Sequence, residues 1–187
     1  YKPKLRYLAY ILFSIGAQLK IYPAIYILMF VDDWMDWKTN LKRFAGVGIF
    51  NLALLFVLGY QPVLVFLNGI KTIPASYVWI GNHSIKSFTV LLQTGQFRAA
   101  FSNGYLAVLH SWAVENASEI GGGMLLMIFL CFSVVIYISF KQNIKGFNTY
   151  LFVVSTLITL LLPAISHDYK LSILGSAIGI ALGNIIN

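Results

Sequence analysis

Three short polar clusters hold the residue types in this chain that could do chemistry: Gln18-Leu19-Lys20-Ile21-Tyr22-Pro23, Asn82-His83-Ser84 with Lys86, and His167-Asp168-Tyr169-Lys170. The first lies in the otherwise largely apolar stretch Leu5 to Val31. An ammonium at bilayer depth costs at least about 2.5 kcal/mol, so Lys20 is a site candidate by default. Snorkelling from the end of a short helix is its alternative role. Lysines with asparagine, serine and tyrosine donors suit an anionic lipid head or a phosphate leaving group, which makes Lys20, Tyr22, Asn82, Ser84, Lys86, Tyr169 and Lys170 the candidates for that binding. Asp168 beside His167 could take a proton from a sugar hydroxyl, with Glu115 and Glu119 the remaining candidates for a base. Asp168 is equally placed to favour the N-terminus of a helix that starts at Leu171.

No metal site is expected. His83, His110 and His167 lack a paired spacing, and Asp32, Asp33 and Asp36 do not match a calcium loop. Beside Lys38, Lys42 and Arg43, those three carboxylates read as a solvated turn, with Trp34 and Trp37 as interfacial anchors. His83 is followed five positions on by Phe88, where a membrane acyltransferase would need an aspartate. Cys131, the single cysteine, sits in an apolar run and reads as packing. No cofactor is implied.

The elements that must position these clusters are set by composition. With 59% hydrophobic and 10% charged residues in 187, and a mean hydropathy of +0.79, the chain is expected to be an all-α integral membrane protein. The net charge of +7 sits in short basic runs beside apolar segments, the signature of cytoplasmic loops rather than of nucleic-acid binding.

Apolar runs predict spans over residues 5–19, 21–37, 44–67, 124–140, 147–162 and 171–186. Leu5 to Val31 can be one kinked helix or a hairpin of two short ones, and the hairpin is preferred because it leaves both basic flanks on one side. Gly59 and Pro62 are expected to kink the 44–67 helix. Residues 68–123 read as an extracytoplasmic loop with short interfacial helices, one capped at Asn82 to Ser84 before Ile85 to Leu92, another from Phe97 to Val114 with a break at Asn103-Gly104. Pro163 ends one helix, and Gly175, Gly179 and Gly183 give the last a stripe for close helix approach. This alternation brings all three polar clusters to the extracytoplasmic side.

Three segments carry a resemblance: LKIYPAIYILMFV, GNHSIKSF and LLPAISHDYKLSIL, in this order, resemble the membrane glycosyltransferase family 87 from about Leu5 to the C-terminus. The resemblance implies a GT-C helical bundle and transfer of a hexose, mannose in this family, from a polyprenyl-phosphate donor to a lipid or glycan acceptor outside the cytoplasm of a bacterial inner membrane. It further implies that Lys20, Asn82, Ser84, Lys86, Asp168 and Tyr169 line that site. GT-C enzymes carry an acidic residue in the first extracytoplasmic loop, and residues 1–19 supply none. The chain begins at Tyr1 rather than a methionine and shows no signal-peptide pattern, so it is expected to be the C-terminal part of a longer protein. Either the base lies before Tyr1, in which case this chain alone is inactive, or His167 and Asp168 do its work. The alternatives are a transporter or flippase of an anionic lipid-linked substrate, against which no inverted repeat is evident, and a helical scaffold subunit.

Overall fold

The computed structural model describes residues 5–19, 22–57, 59–71, 82–95, 104–163 and 171–186. Among these the structure is all-helical: α1 (Arg6–Leu19), a 3₁₀ segment (Tyr22–Phe30), α2 (Trp37–Leu55), α3 (Tyr60–Lys71), α4 (Ile85–Gln93), α5 (Tyr105–Glu115), α6 (Ala117–Lys141), α7 (Thr149–Leu161) and α8 (Leu171–Ile186). The chain doubles back between α1 and the 3₁₀ segment, which selects the hairpin over one kinked helix. Phe30 packs edge-on against Tyr10 and Phe13, at centroid distances of 4.8 and 5.4 Å, and the Arg6 guanidinium pairs with the Asp32 carboxylate. Helix α2 then runs parallel to α1. Arg43 shares Asp32 with Arg6, and eight residues further along each helix Asn51 donates to Ser14 Oγ at 2.9 Å.

The expected helix over 21–37 is corrected: residues Tyr22–Phe30 form a 3₁₀ helix, and residues 31–36 a polar turn. Nine residues is long for this geometry, in which side chains three apart eclipse and the hydrogen bonds are poorer. Tertiary packing offsets the disadvantage. The row Ala24, Ile27, Phe30 faces α1 and α2, whereas Tyr26, on the next row, reaches α7 with its hydroxyl 2.8 Å from Thr156 Oγ1 and its ring 5.7 Å from Phe152. An α-helix would turn Phe30 about 120° from the direction of Ala24 and break the row.

The single helix expected over 44–67 is also corrected. Asp36 caps α2 and starts it at Trp37, its Oδ1 accepting from Thr39 N at 3.2 Å. Gly59, at φ +93°, separates α2 from α3, and the two axes bend by 103°. Pro62 falls in the first turn of α3, where its missing N–H costs little.

Residues 68–123 hold more helix than expected: the last residues of α3, then α4, α5 and the start of α6. Ser84 caps α4 as read from the sequence. Of the helix expected over 97–114, the described part begins at Tyr105, after Gly104 at φ +66°. Helix α6 starts at Ala117, not 124, and its 25 residues make it the one described helix long and apolar enough to cross a membrane by itself. At 1.5 Å per residue it exceeds the roughly 30 Å hydrocarbon thickness. Helix α7 covers 13 residues of the expected 147–162 and α8 the 16 of 171–186, both below that length. Asn148 fastens the α6–α7 turn, accepting from Leu151 N at 3.0 Å and donating to Ser139 Oγ at 2.6 Å.

Apolar and small polar side chains share the interior, and large apolar side chains also cover much of the outside. Leu151, Leu160, Ile85 and Ile158 are buried together with Ser14, Ser84, Ser87, Ser139, Ser155 and Thr156, while Leu126, Met127, Phe129, Leu130 and Val134 on α6 are exposed. Exposed large apolar side chains along a helix of this length form a face that suits contact with another apolar surface.

Candidate functional site

Of the residues expected to form the site, Lys20, His167, Asp168, Tyr169 and Lys170 lie outside the described residues, and for Tyr22 the backbone alone is described. The second cluster is fully placed. Asn82 and Ser84 are buried, and Ser84 sits in extended backbone ahead of α4. Asn82 Oδ1 accepts from Ser84 N at 3.2 Å, and Ser84 Oγ accepts from Ser87 N at 3.0 Å. Both acceptor oxygens are thus committed to backbone amides at the helix start. Lys86, in the first turn of α4, is exposed. Removing the cap by Ser84→Ala is expected to lower stability by about 1 kcal/mol, and Ser84→Gly by only a few tenths. Thermal unfolding in detergent measures both; equal midpoints for Ser84→Ala and wild type would contradict the capping role.

The end of the fold opposite these helix starts is held by charge. Arg6 and Arg43 both donate to Asp32 Oδ2, Arg43 at 2.9 Å, with all three side chains between a fifth and a third exposed. The same turn reaches the α6–α7 connection: Trp34 N donates to Asn143 Oδ1 at 3.0 Å, and Lys145 Nζ lies 3.8 Å from Asp33. Asn40 Nδ2 donates to Asp33 O at 2.8 Å. Asp36 is held below the ordinary carboxylate range, first by its side-chain hydrogen bond with Thr39 and then by the Thr39 backbone amide. The carboxylates read as a solvated turn are therefore a structural hub. Among the described residues no group of three or more His, Cys, Asp or Glu could hold a metal ion.

A site that the sequence reading missed lies at the other end of α1 and α2. A cavity of about 400 Å³ opens between α1, the 3₁₀ segment, α2 and α3, walled by Phe13, Ala17, Ala24, Ile27, Val47 and Leu52. Its polar edge is an amide pair: Gln18 Nε2 donates to Asn51 O at 2.9 Å and to Asn51 Oδ1 at 3.1 Å. Asn51 Nδ2 in turn donates to Ser14 Oγ and, at 2.8 Å, to Val47 O. A second cavity of about 420 Å³, between α1 and α3, shares Gln18, Leu55 and Phe66 with the first. The available signal was Asn51 in an apolar run, with Ser14 and Gln18 four apart on one face of α1. An apolar chamber with a few fixed amides can hold a hydrocarbon chain and orient the polar group that ends it.

Compared with known proteins, the chain matches no family model, no curated protein and no solved structure.

Proposed function

We propose that this chain is a polytopic helical membrane protein and that it transfers a hexose from a polyprenyl-phosphate donor to a lipid or glycan acceptor on the extracytoplasmic side. The cavity between α1, the 3₁₀ segment and α2 is the observation that carries this reading. It is apolar, of ligand size, and edged by Gln18, two positions before Lys20. In this scheme the isoprenoid chain occupies apolar surface between the helices. Lys20, Tyr22, Lys86, Tyr169 and Lys170 serve the phosphate, and Asp168 with His167 accepts the proton of the acceptor hydroxyl. The acceptor oxygen bonds to the anomeric carbon as the bond to the phosphate oxygen breaks, and polyprenyl phosphate leaves with the electron pair. The exposed apolar surface of α6 and its length support the membrane placement.

The test is transfer from radiolabelled polyprenyl-phosphate hexose by the full-length protein in proteoliposomes. Lys20→Ala and Asp168→Asn are expected to abolish transfer while membrane insertion is retained. Wild-type rates in both would sink the site assignment, and movement of intact donor across the bilayer without transfer would select the flippase reading.

A further inference from the structure

We infer that the charged end of the fold is a binding surface for anionic phospholipid headgroups, formed by Lys38, Lys42, Lys141 and Lys145 with the exposed rings of Trp37 and Tyr137. Six cations and three carboxylates meet at this end among the described residues, Arg6, Lys38, Lys42, Arg43, Lys141 and Lys145 against Asp32, Asp33 and Asp36, leaving three positive charges in excess. They divide into two groups. Arg6 and Arg43 are turned inward onto Asp32 and are under a quarter exposed, so they hold the fold and are not presented to a ligand. The four lysines are exposed. Lys145 is 70% exposed and touches Asp33 only at 3.8 Å, a separation at which a surface pair contributes little.

Aromatic neighbours point to lipid as the source of the anion. Lys38 Nζ lies 5.9 Å from the centre of the Trp37 ring, and Lys141 Nζ 5.9 Å from that of Tyr137. Both rings are mostly exposed, at 62% each. Exposed Leu41 lies four residues after Trp37 on the same helix. An ammonium beside an exposed ring and an apolar side chain is the arrangement that spans a headgroup and the acyl region beneath it. A solvated basic face would need no such rings. One lysine near an anionic headgroup raises its local occupancy roughly fivefold, and the attraction fades within a Debye length. The inference rests on the membrane placement proposed above and is independent of hexosyl transfer.

The experiment is quenching of Trp37 fluorescence by brominated lipid. It uses the full chain with Trp34, Trp79 and Trp112 replaced by phenylalanine, in vesicles mixing phosphatidylcholine and phosphatidylglycerol, with one or the other brominated. Brominated phosphatidylglycerol is expected to quench Trp37 at least threefold more strongly per lipid than brominated phosphatidylcholine. The ratio should fall towards one in the Lys38→Gln, Lys42→Gln, Lys141→Gln, Lys145→Gln variant and, in the protein that keeps its lysines, at 1 M salt. Equal quenching by the two lipids, or a preference that survives both the substitutions and the salt, would overturn the inference. Quenching by neither lipid would overturn the membrane placement with it; loss of hexosyl transfer alone would leave both standing.

Discussion

Asp32→Asn is expected to lower the unfolding free energy by about 2–3 kcal/mol, the largest loss from any single polar substitution in the described part of the fold. Asp32 Oδ2 accepts from Arg6 on α1 and from Arg43 on α2, so this one carboxylate closes the α1 hairpin and fixes α2 beside it. The amide keeps the shape but removes the charge, leaving two guanidiniums, each less than a quarter exposed, next to one another. Breaking a fully buried pair costs about 3–5 kcal/mol, and partial exposure lowers that figure by solvent screening. Arg6→Gln should lose less, because Arg43 still neutralises Asp32. The double variant Arg6→Gln, Asp32→Asn should lose less than the sum of the two single changes. Thermal unfolding in detergent followed by tryptophan fluorescence reads all three. An Asp32→Asn midpoint equal to that of wild type would show that the hub is ornamental.

What the sequence made legible followed from strong local signals. The cap at Ser84, the stop at Pro163 and the helix from Leu171 to Ile186 rest on a side-chain acceptor, a missing donor and an uninterrupted apolar run. Local signals fail where two conformations suit the same residues. Ile21 to Val31 is apolar all round, so no periodicity separates a 3₁₀ from an α-helix there; the choice is made by Phe30 on α1 and Tyr26 on α7. Asp36 with Thr39 three residues on was a cap signal, submerged by the charges around it. Gly59 was expected to kink a continuing helix, but at φ +93° it separates two. The candidate site was legible in part. Gln18 belongs to the first polar cluster, but its partner Asn51 is 33 residues away, and only tertiary structure joins them at the cavity edge. Convergence of the three clusters rests on alternating topology alone, since residues 164–170 and Lys20 lie outside the described set.

Gly121 on α6 is the one described glycine at which an added Cβ would meet another atom within 4 Å, and a larger side chain there is the second change expected to matter most. A Cβ at Gly121 would lie 2.6 Å from Thr89 Oγ1, closer than a Cβ comes to any atom without a shift, and a tight 3.3 Å from its Cγ2. Thr89 cannot easily give way, because its hydroxyl donates to Ile85 O at 2.6 Å and its branched Cβ restricts rotation. Alanine in mid-helix normally gains about 1 kcal/mol over glycine, so two terms compete. At Gly121 overpacking of about 1–3 kcal/mol should outweigh the gain, and Gly121→Val, which adds branching, should lose about 3 kcal/mol. Gly122 and Gly123 are the internal controls: a Cβ at either meets nothing within 4 Å, so Gly122→Ala and Gly123→Ala should be neutral or stabilising. Thr89→Ala removes the obstructing atoms. Adding Gly121→Ala to a Thr89→Ala background should therefore stabilise the protein by the helix-propensity gain, reversing the sign seen in wild type. That reversal separates a steric contact between α4 and α6 from a general intolerance of α6. If Gly121→Ala instead behaves like Gly122→Ala in unfolding experiments, α4 does not sit against α6 at Thr89, and the position of the capped cluster at Ser84 would have to be redrawn.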